Sequence, residues 1–201
     1  MRKLLNKEII FLKVNKKRCL FLALIITIVS MFIILRGKES LLDLRFILGL
    51  TSSSFIINII FDSMMLEKKN KSFEKMLQLN SLTQIINSKA IISFIISTLI
   101  SLLFSSILIL NRGYSFKDFY IVFLLVPFLN LVFSKIFCLI LLLNDQVILI
   151  QIVTMAFALC YVILFTSIER LEEAILLGGL SIFTFFIVDI FINRIEIEKI
   201  I

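Results

Sequence analysis

The chain of 201 residues is 60% hydrophobic and only 17% charged, and it contains no histidine. Soluble domains average roughly 45–50% apolar and about 25% charged residues, so this composition argues against a water-soluble domain and predicts an all-α integral membrane protein. The missing histidine excludes His-ligated zinc and His general-base catalysis. A net charge of +7 fits basic loops at a membrane surface better than nucleic-acid binding. We therefore expect no catalytic or metal-binding residues and no nucleic-acid partner.

Residues 1–18 mix apolar and basic side chains, which favours an amphipathic elbow helix in the membrane interface. Its apolar side, with Leu4 and Ile9, would face the acyl chains, and lysines such as Lys7 and Lys13 would meet anionic membrane lipid. A basic tail that merely precedes the first apolar run is the alternative.

Six apolar runs follow that are long enough to cross a bilayer, since a transmembrane helix needs about 20 apolar residues. The predicted transmembrane helices are residues 19–35, 46–66, 90–110, 120–143, 147–165 and 174–192. Fourteen Lys and Arg residues lie in the segments on the side of the N-terminus, and six lie in those on the other side. The six runs predict a single, multi-pass transmembrane domain in a bacterial inner membrane. Because basic segments stay in the cytoplasm, we predict that both termini are cytoplasmic.

One connection between the predicted spans is long, residues 67–89, and it lies on the predicted cytoplasmic side. Apolar residues at helical spacing, Phe73, Met76 and Leu77, predict a short amphipathic helix there. Residues 82–86 repeat the pattern and predict a second one. Such a helix either lies on the membrane or presents its apolar face to a groove on a soluble partner, and the pattern leaves both uses open.

Charged, hydroxyl and apolar residues stand in a defined order within this connection: Glu67, Lys68, Ser72, Phe73, Glu74, Met76 and Leu77, with Lys89 opening the third span. This order resembles the cytoplasmic loop of type 2 ABC-transporter permeases. Lys69, Lys71 and Asn80 depart from the family pattern. The layout of an elbow helix and six spans, with this loop between the second and third, is similar to that family over the whole chain.

The resemblance implies the permease subunit of an ABC exporter, whose coupling helix docks in a cleft of a cytosolic ABC ATPase. Phe73, Met76 and Leu77 would be the apolar anchors. The charged residues of the polar rim would be Glu67, Lys68, Lys69 and Glu74. The chain has no G-x-x-x-x-G-K-S/T loop. We therefore expect that this chain is not an enzyme and has no cofactor of its own, and that ATP and Mg²⁺ bind in the partner ATPase.

A second permease subunit, identical or related, is also implied, which makes the transporter a homodimer or a heterodimer. We expect an amphipathic or lipid-like cargo, because short loops and a largely apolar interior offer no cage for a highly charged solute. A peptide antibiotic or toxin is the favoured candidate. The alternative function is a non-transporting membrane interaction or immunity protein that recruits a cytosolic partner through residues 67–89.

Three ionisable residues fall within apolar runs: Asp62, Lys135 and Asp189. Each costs roughly 2.5–3.5 kcal/mol at the centre of a transmembrane helix, so such residues mark a pathway, an ion pair or a helix end. Asp62 and Asp189 each lie five residues before a cytoplasmic segment, where a structural role is favoured. For Lys135 we favour a structural pair with Asp62 or Asp189, and snorkelling to the cytoplasmic side is the alternative.

Small polar residues recur in the predicted third span. Ser97, Ser101 and Ser105 are spaced four residues apart, which is the spacing that lets transmembrane helices approach closely. The pattern predicts a face for helix packing, with the lining of a transport path as the alternative.

Overall fold

A computed structural model of the protein describes residues 1–15, 41–70, 72–112, 116–143, 147–168 and 170–194. All regular secondary structure in these ranges is α-helical, so the all-α class is confirmed for them. The described ranges contain seven helices: α1 (Arg2–Val14), α2 (Leu41–Lys69), α3 (Ser72–Leu79), α4 (Leu82–Arg112), α5 (Phe116–Leu143), α6 (Val147–Ser167) and α7 (Leu171–Arg194).

Four of these helices contain stretches that are long and apolar enough to cross a bilayer. They are Leu48–Lys69 in α2, Leu82–Leu103 in α4, Val122–Leu143 in α5 and Leu171–Arg194 in α7. These stretches overlap the predicted second, third, fourth and sixth spans, the third with a shift of its start from residue 90 to Leu82, and they are compatible with a membrane protein. Helix α6, with 21 residues, lies at the place of the predicted fifth span, and its apolar stretch within the described side chains is Ile152–Leu164. The predicted first span, residues 19–35, lies outside the described residues.

Helix α5 forms the centre of the bundle and packs against α2, α4, α6 and α7. Its inward side chains include Phe137 and Leu141, which are fully buried. Phe133 of α5 contacts both Phe157 and Tyr161 of α6, with 4.8 Å between ring centroids in each pair. Aromatic pairs at such distances stabilise an interface beyond the apolar area that they bury, so the rings fasten α6 to the central helix.

The serine-bearing face of α4 is turned toward the neighbouring helices. Ser97, Ser101 and Ser105 are all buried, and Oγ of Ser101 lies 2.6 Å from Oγ of Ser52 in α2. Small side chains at such positions let two helix backbones approach closely. The predicted packing face is therefore confirmed for these three serines.

Residues 82–86 form the first turns of α4 rather than a short helix of their own, so that prediction is wrong. The hydroxyl of Ser81 accepts a hydrogen bond from the backbone N–H of Gln84 at 3.3 Å, which caps the start of the helix. No glycine or proline interrupts α4 between Leu82 and Arg112. Because nothing breaks the backbone, the amphipathic start and the apolar stretch continue as one helix.

Helix α1 lies against α2 and α4, within residues 1–18, for which an elbow helix was predicted. Residues 16–18 lie outside the described residues, and the placement of α1 in a membrane interface stays a prediction. Its inner side buries Leu4 and Glu8, whereas Ile10 and Val14 are exposed. A buried carboxylate on this inner side is unexpected from a pattern that sets apolar against basic residues.

Helix α7 lies on the outside of the bundle. Only 22% of its apolar stretch is buried, and its contact side is a narrow row made of Ala174, Gly178, Ser181, Val188 and Ile192. At Gly178 the helix touches the ring of Phe128 in α5, where an added Cβ would lie 2.8 Å from the ring carbon Cδ2. The missing side chain of Gly178 therefore allows α7 to approach α5.

Candidate functional site at the charged end of the bundle

Helix α3 is a single short helix between the ends of α2 and α4, in the connection that the sequence analysis selected. Three local hydrogen bonds set its limits. The backbone N–H of Asn70 donates to the carbonyl of Leu66 at the end of α2, and the hydroxyl of Ser72 donates to the carbonyl of Glu67 at 3.3 Å. The side chain of Asn80 donates to the carbonyl of Met76 and closes the end of α3. Turns on both sides therefore hold α3 as a separate helix.

The apolar face of α3 packs against the bundle of the same chain. Phe73 is buried, with 4% of its surface exposed, and Met76 and Leu77 are partly buried against the same core. Because these side chains already have apolar partners, the outward surface of α3 differs from the one that the spacing suggested. Its most exposed apolar residue is Leu79, at 84%.

The outward side of α3 carries Lys75, Gln78 and Leu79, all exposed, while Glu74 is half-buried. The amphipathic pattern alone could not separate these two sides, because Leu79 is as apolar as Leu77. The prediction that this helix binds a partner stays a prediction, and Lys75, Gln78 and Leu79 are the surface available for it in this structure.

A buried cluster of charged side chains joins α1, α2 and α4 beside α3. Nζ of Lys89 in α4 donates a hydrogen bond to Oε1 of Glu8 in α1 at 2.8 Å, and Ser63 in α2 donates to the other oxygen of Glu8 at 2.8 Å. Lys89 also donates to the hydroxyl of Ser63. Glu8 therefore has a partner for each carboxylate oxygen although it belongs to a helix at the edge of the bundle.

Glu67 extends this cluster toward α3. Its Oε2 lies 2.8 Å from Nζ of Lys89, but among the described residues it accepts no hydrogen bond. The two groups therefore attract each other as opposite charges, without the geometry of a hydrogen bond. Its Oε1 lies 2.6 Å from Nζ of Lys7 in α1. Among the described residues, the ion cluster consists of Lys7, Glu8, Ser63, Glu67 and Lys89, with two lysines and two carboxylates in balance.

Burial makes the ion cluster consequential for stability. The side chains of Lys89, Glu8 and Glu67 are 1%, 7% and 9% exposed, whereas Lys7 is 42% exposed. Taking charges out of water is costly, and the loss of one partner from a buried pair leaves the other charge uncompensated. Lys89, which faces both carboxylates, is therefore the residue on which the cluster depends.

Two residues predicted as the polar rim of the coupling helix bind within the chain instead. Glu67 belongs to the ion cluster, and Nζ of Lys68 donates to the backbone carbonyl of Leu142 at 3.0 Å. Leu142 is one residue from the end of α5, where carbonyls lack helical partners. Both side chains thus tie the end of α2 to its neighbours and position α3.

Sequence reasoning missed Glu8 and Ser63, and it selected Lys89 only as the start of a span. A signal for Glu8 was present, because it is the single acidic residue among the first 18 and stands one helical turn after Leu4. A lone carboxylate on the apolar side of a basic helix indicates that another part of the folded chain places a cationic side chain beside it. The choice of Lys89 as that cation depends on how α1 and α4 pack.

The second buried charge pair lies deeper in the bundle. Nζ of Lys135 is 2.6 Å from Oδ2 of Asp189 in α7, and the two side chains are 0% and 23% exposed. Lys135 also donates to the carbonyl of Phe185 at 3.0 Å and lies 3.5 Å from the centroid of the Phe185 ring. The structure thus selects Asp189 from the two partners expected for Lys135.

The same carboxylate connects to α4. Nδ2 of Asn87 donates to Oδ1 of Asp189 at 3.3 Å. One turn before Asn87 in α4, Thr83 donates to Oδ1 of Asn193, which lies one turn after Asp189 in α7, at 2.5 Å. Asp62, the third predicted intramembrane charge, is half-buried and has an interaction of its own. The pairs between α4 and α7 form a polar seam that fixes the register of the two helices.

A further set of hydrogen bonds crosses the apolar middle of the bundle. The hydroxyl of Tyr161 in α6 donates to Oδ1 of Asn130 in α5 at 2.5 Å, and Nδ2 of Asn130 donates to Thr98 in α4 at 3.1 Å. Tyr161 and Asn130 are fully buried. Each polar group thereby gains a partner away from water, which a buried polar group requires.

Comparison of the chain with protein-family models, curated proteins and solved structures finds no match in any of the three. The fold and the geometry therefore define the class of protein: an all-helical chain, over the described residues, with four helices of membrane-spanning length and composition. The same residues contain no group of three His, Cys, Asp or Glu side chains that could hold a metal ion.

Proposed function

We propose that the chain is the permease subunit of an ABC exporter, with six membrane-spanning helices and cytoplasmic termini. One observation carries the proposal. A short helix, α3, is held between two long apolar helices, α2 and α4, beside the buried ion cluster. A soluble partner that binds a helix in this place can displace the ends of both neighbouring helices at once, which is how a motion outside the membrane reaches its interior.

In this proposal the outward side of α3 binds a cleft of a cytosolic ABC ATPase. Leu79 is the apolar anchor, and Lys75 complements acidic side chains at the rim of the cleft. Glu74, Met76 and Leu77 border this surface. The buried Phe73 ties α3 to the bundle, so that closure of the ATPase moves α2 and α4. ATP and Mg²⁺ bind in the ATPase, and this chain contributes no cofactor.

A second permease subunit, identical or related, completes the proposed transporter. The outer sides of α6 and α7 support this, because Met155 and Phe183 are 71% and 64% exposed and need either lipid or a second subunit to cover them. The proposed cargo is amphipathic or lipid-like, with a peptide antibiotic or toxin as the favoured candidate, since the interior polar groups are mainly hydroxyls and amides.

Purification of the tagged chain from its native membrane in a mild detergent tests the proposal. The amount of a co-purifying P-loop ATPase and the rate of ATP hydrolysis are measured for the wild type and for the variant Lys75→Glu/Leu79→Ser. We expect the variant to lose the ATPase. Val14→Ser is the matched control, because Val14 is 76% exposed on α1 rather than on α3, and this variant should retain the complex.

A complex that survives the change on α3 would contradict the proposed docking surface, and a preparation without ATP hydrolysis would contradict the transporter. One observation favours the second candidate, a non-transporting interaction or immunity protein. Two interior pairs, Lys135 with Asp189 and Asn130 with Tyr161, suit a bundle that stays closed. Recovery of a partner without ATPase activity would favour this candidate.

A further inference from the structure

Helix α1 lies on the bundle with a side that is partly apolar and partly charged. Among its described side chains, Leu4 and Glu8 are buried, and Leu5, Phe11 and Leu12 are half-buried. A helix of 13 residues is marginal in water by itself, so its position depends on these contacts. Because Glu8 carries a charge into a buried site, docking of α1 requires a cation beside that carboxylate.

The attachment of Glu8 depends in turn on Lys89. Lys89 provides the buried cation, at 2.8 Å from both Glu8 and Glu67, and Ser63 adds a neutral hydrogen bond. Without Lys89, two carboxylates from α1 and α2 would share a buried site with Lys7, which is partly exposed and lies at Glu67. Repulsion and desolvation would then favour the release of Glu8 to water.

Helix α3 is linked to α1 by two routes. Nζ of Lys7 lies 2.8 Å from Sδ of Met76 in α3, a direct contact between the two helices. The other route runs from the hydroxyl of Ser72 to the backbone of Glu67, and from the Glu67 carboxylate to Lys7 and Lys89. Both routes pass through the ion cluster or through one of its members.

We propose that Lys89 holds α1 against the bundle, and that α1 and α3 form one block that opens and moves as a unit. A displacement of α3 then carries α1 with it, and release of α1 loosens α3. Lys89 acts as a positioning residue in this block. The proposal concerns the chain alone and holds whether or not the partner of α3 is an ATPase.

Amide hydrogen exchange on the full chain in detergent micelles, without nucleotide or partner, tests this block. Lys89→Met is compared with Lys13→Met, which changes an exposed lysine of α1. We expect Lys89→Met to accelerate exchange roughly 100-fold in residues 2–14 and 72–79, because a buried pair has lost one partner. Exchange in the central part of α5 should be unchanged, and Lys13→Met should match the wild type.

The double variant Glu8→Gln/Lys89→Met separates charge imbalance from general damage. It removes the uncompensated carboxylate and leaves Glu67 with Lys7, so exchange in α1 should return to within about tenfold of the wild type. The proposal is overturned if Lys89→Met leaves α1 as protected as Lys13→Met does, or if α1 opens while α3 stays protected. It is also overturned if the double variant folds with α1 as open as in the single variant. If Lys89→Met does not fold, protection of α1 in the double variant decides.

Discussion

Nζ of Lys89 and Oε1 of Glu8 lie 2.8 Å apart in the protein, although 81 residues separate them in the chain. The contact joins the N-terminal helix to the first turns of α4. It is buried, and it lies beside the one connection whose sequence suggested a coupling helix. Helices α1 and α3, which the sequence indicated separately, thus lie at a single ionic centre.

Loss of Lys135 should destabilise the bundle more than loss of the pair to which it belongs. Lys135→Met leaves Asp189 without its cation, and we expect the free energy of unfolding to fall by about 3 kcal/mol. In Lys135→Met/Asp189→Leu no charge remains, so most of that stability should return. SDS titration of the purified protein measures both, and simple additivity of the single changes would contradict the pairing.

The two sides of α3 should respond differently to truncation. Phe73→Ala removes a buried ring and should cost about 3–5 kcal/mol of stability. Leu79→Ala shortens an exposed side chain and should change stability by less than about 0.5 kcal/mol. Thermal unfolding in detergent measures both variants, and equal shifts would show that Phe73 does not belong to the core.

The neighbouring glycines of α7 provide a matched pair. An added methyl at Gly178 meets the ring of Phe128 at 2.8 Å, whereas at Gly179 nothing lies within 4 Å. Gly178→Ala should therefore destabilise the bundle by about 1–3 kcal/mol through overpacking. Gly179→Ala should be neutral or stabilise α7 by up to about 1 kcal/mol, because alanine favours the helix. The reverse order in unfolding midpoints would contradict the packing of α7 on α5.

The hydrogen bond from the hydroxyl of Tyr161 to Asn130 should contribute to stability. Tyr161→Phe keeps the ring contact with Phe133 but leaves Oδ1 of Asn130 without its donor, and we expect a loss of about 1 kcal/mol. Asn130→Leu in the same protein should reduce the cost of the tyrosine change, and the part that remains reflects the other interactions of Tyr161, including the one with Ser52. A double-mutant cycle measured by unfolding checks this, and a zero coupling energy would refute the bond.

Much of the architecture could be predicted from the distribution of apolar residues. The apolar runs at 46–66, 90–110, 120–143 and 174–192 became long helices, and the spacing of Phe73, Met76 and Leu77 found α3. The prediction of a second short helix was wrong. Amphipathic spacing does not show where a helix ends, and no glycine or proline follows residues 82–86 to break the helix. Residues 19–35 lie outside the described ranges, so the first span stays a prediction.

The sequence indicated which charges need a partner, but it did not determine which partner each charge would meet. Lys135 was expected to pair with Asp62 or Asp189, and the structure selects Asp189. Glu67 was expected on an outer rim and is internal. Both outcomes follow from the orientation of each helix about its own axis, which determines whether a charge faces solvent or a neighbouring helix. The hydropathy of a segment does not contain this orientation.

The sequence by itself determined that the chain forms apolar helices and that the charges within them need compensation, because apolar content and helical spacing are properties of continuous segments. Tertiary structure alone decided that Lys89 meets Glu8 and Glu67, that Phe73 points inward and that α7 stays at the edge. The physical reason is that a buried charge is stabilised by whichever opposite charge packing brings within about 3 Å, and segments distant in the chain meet there only after the helices have assembled.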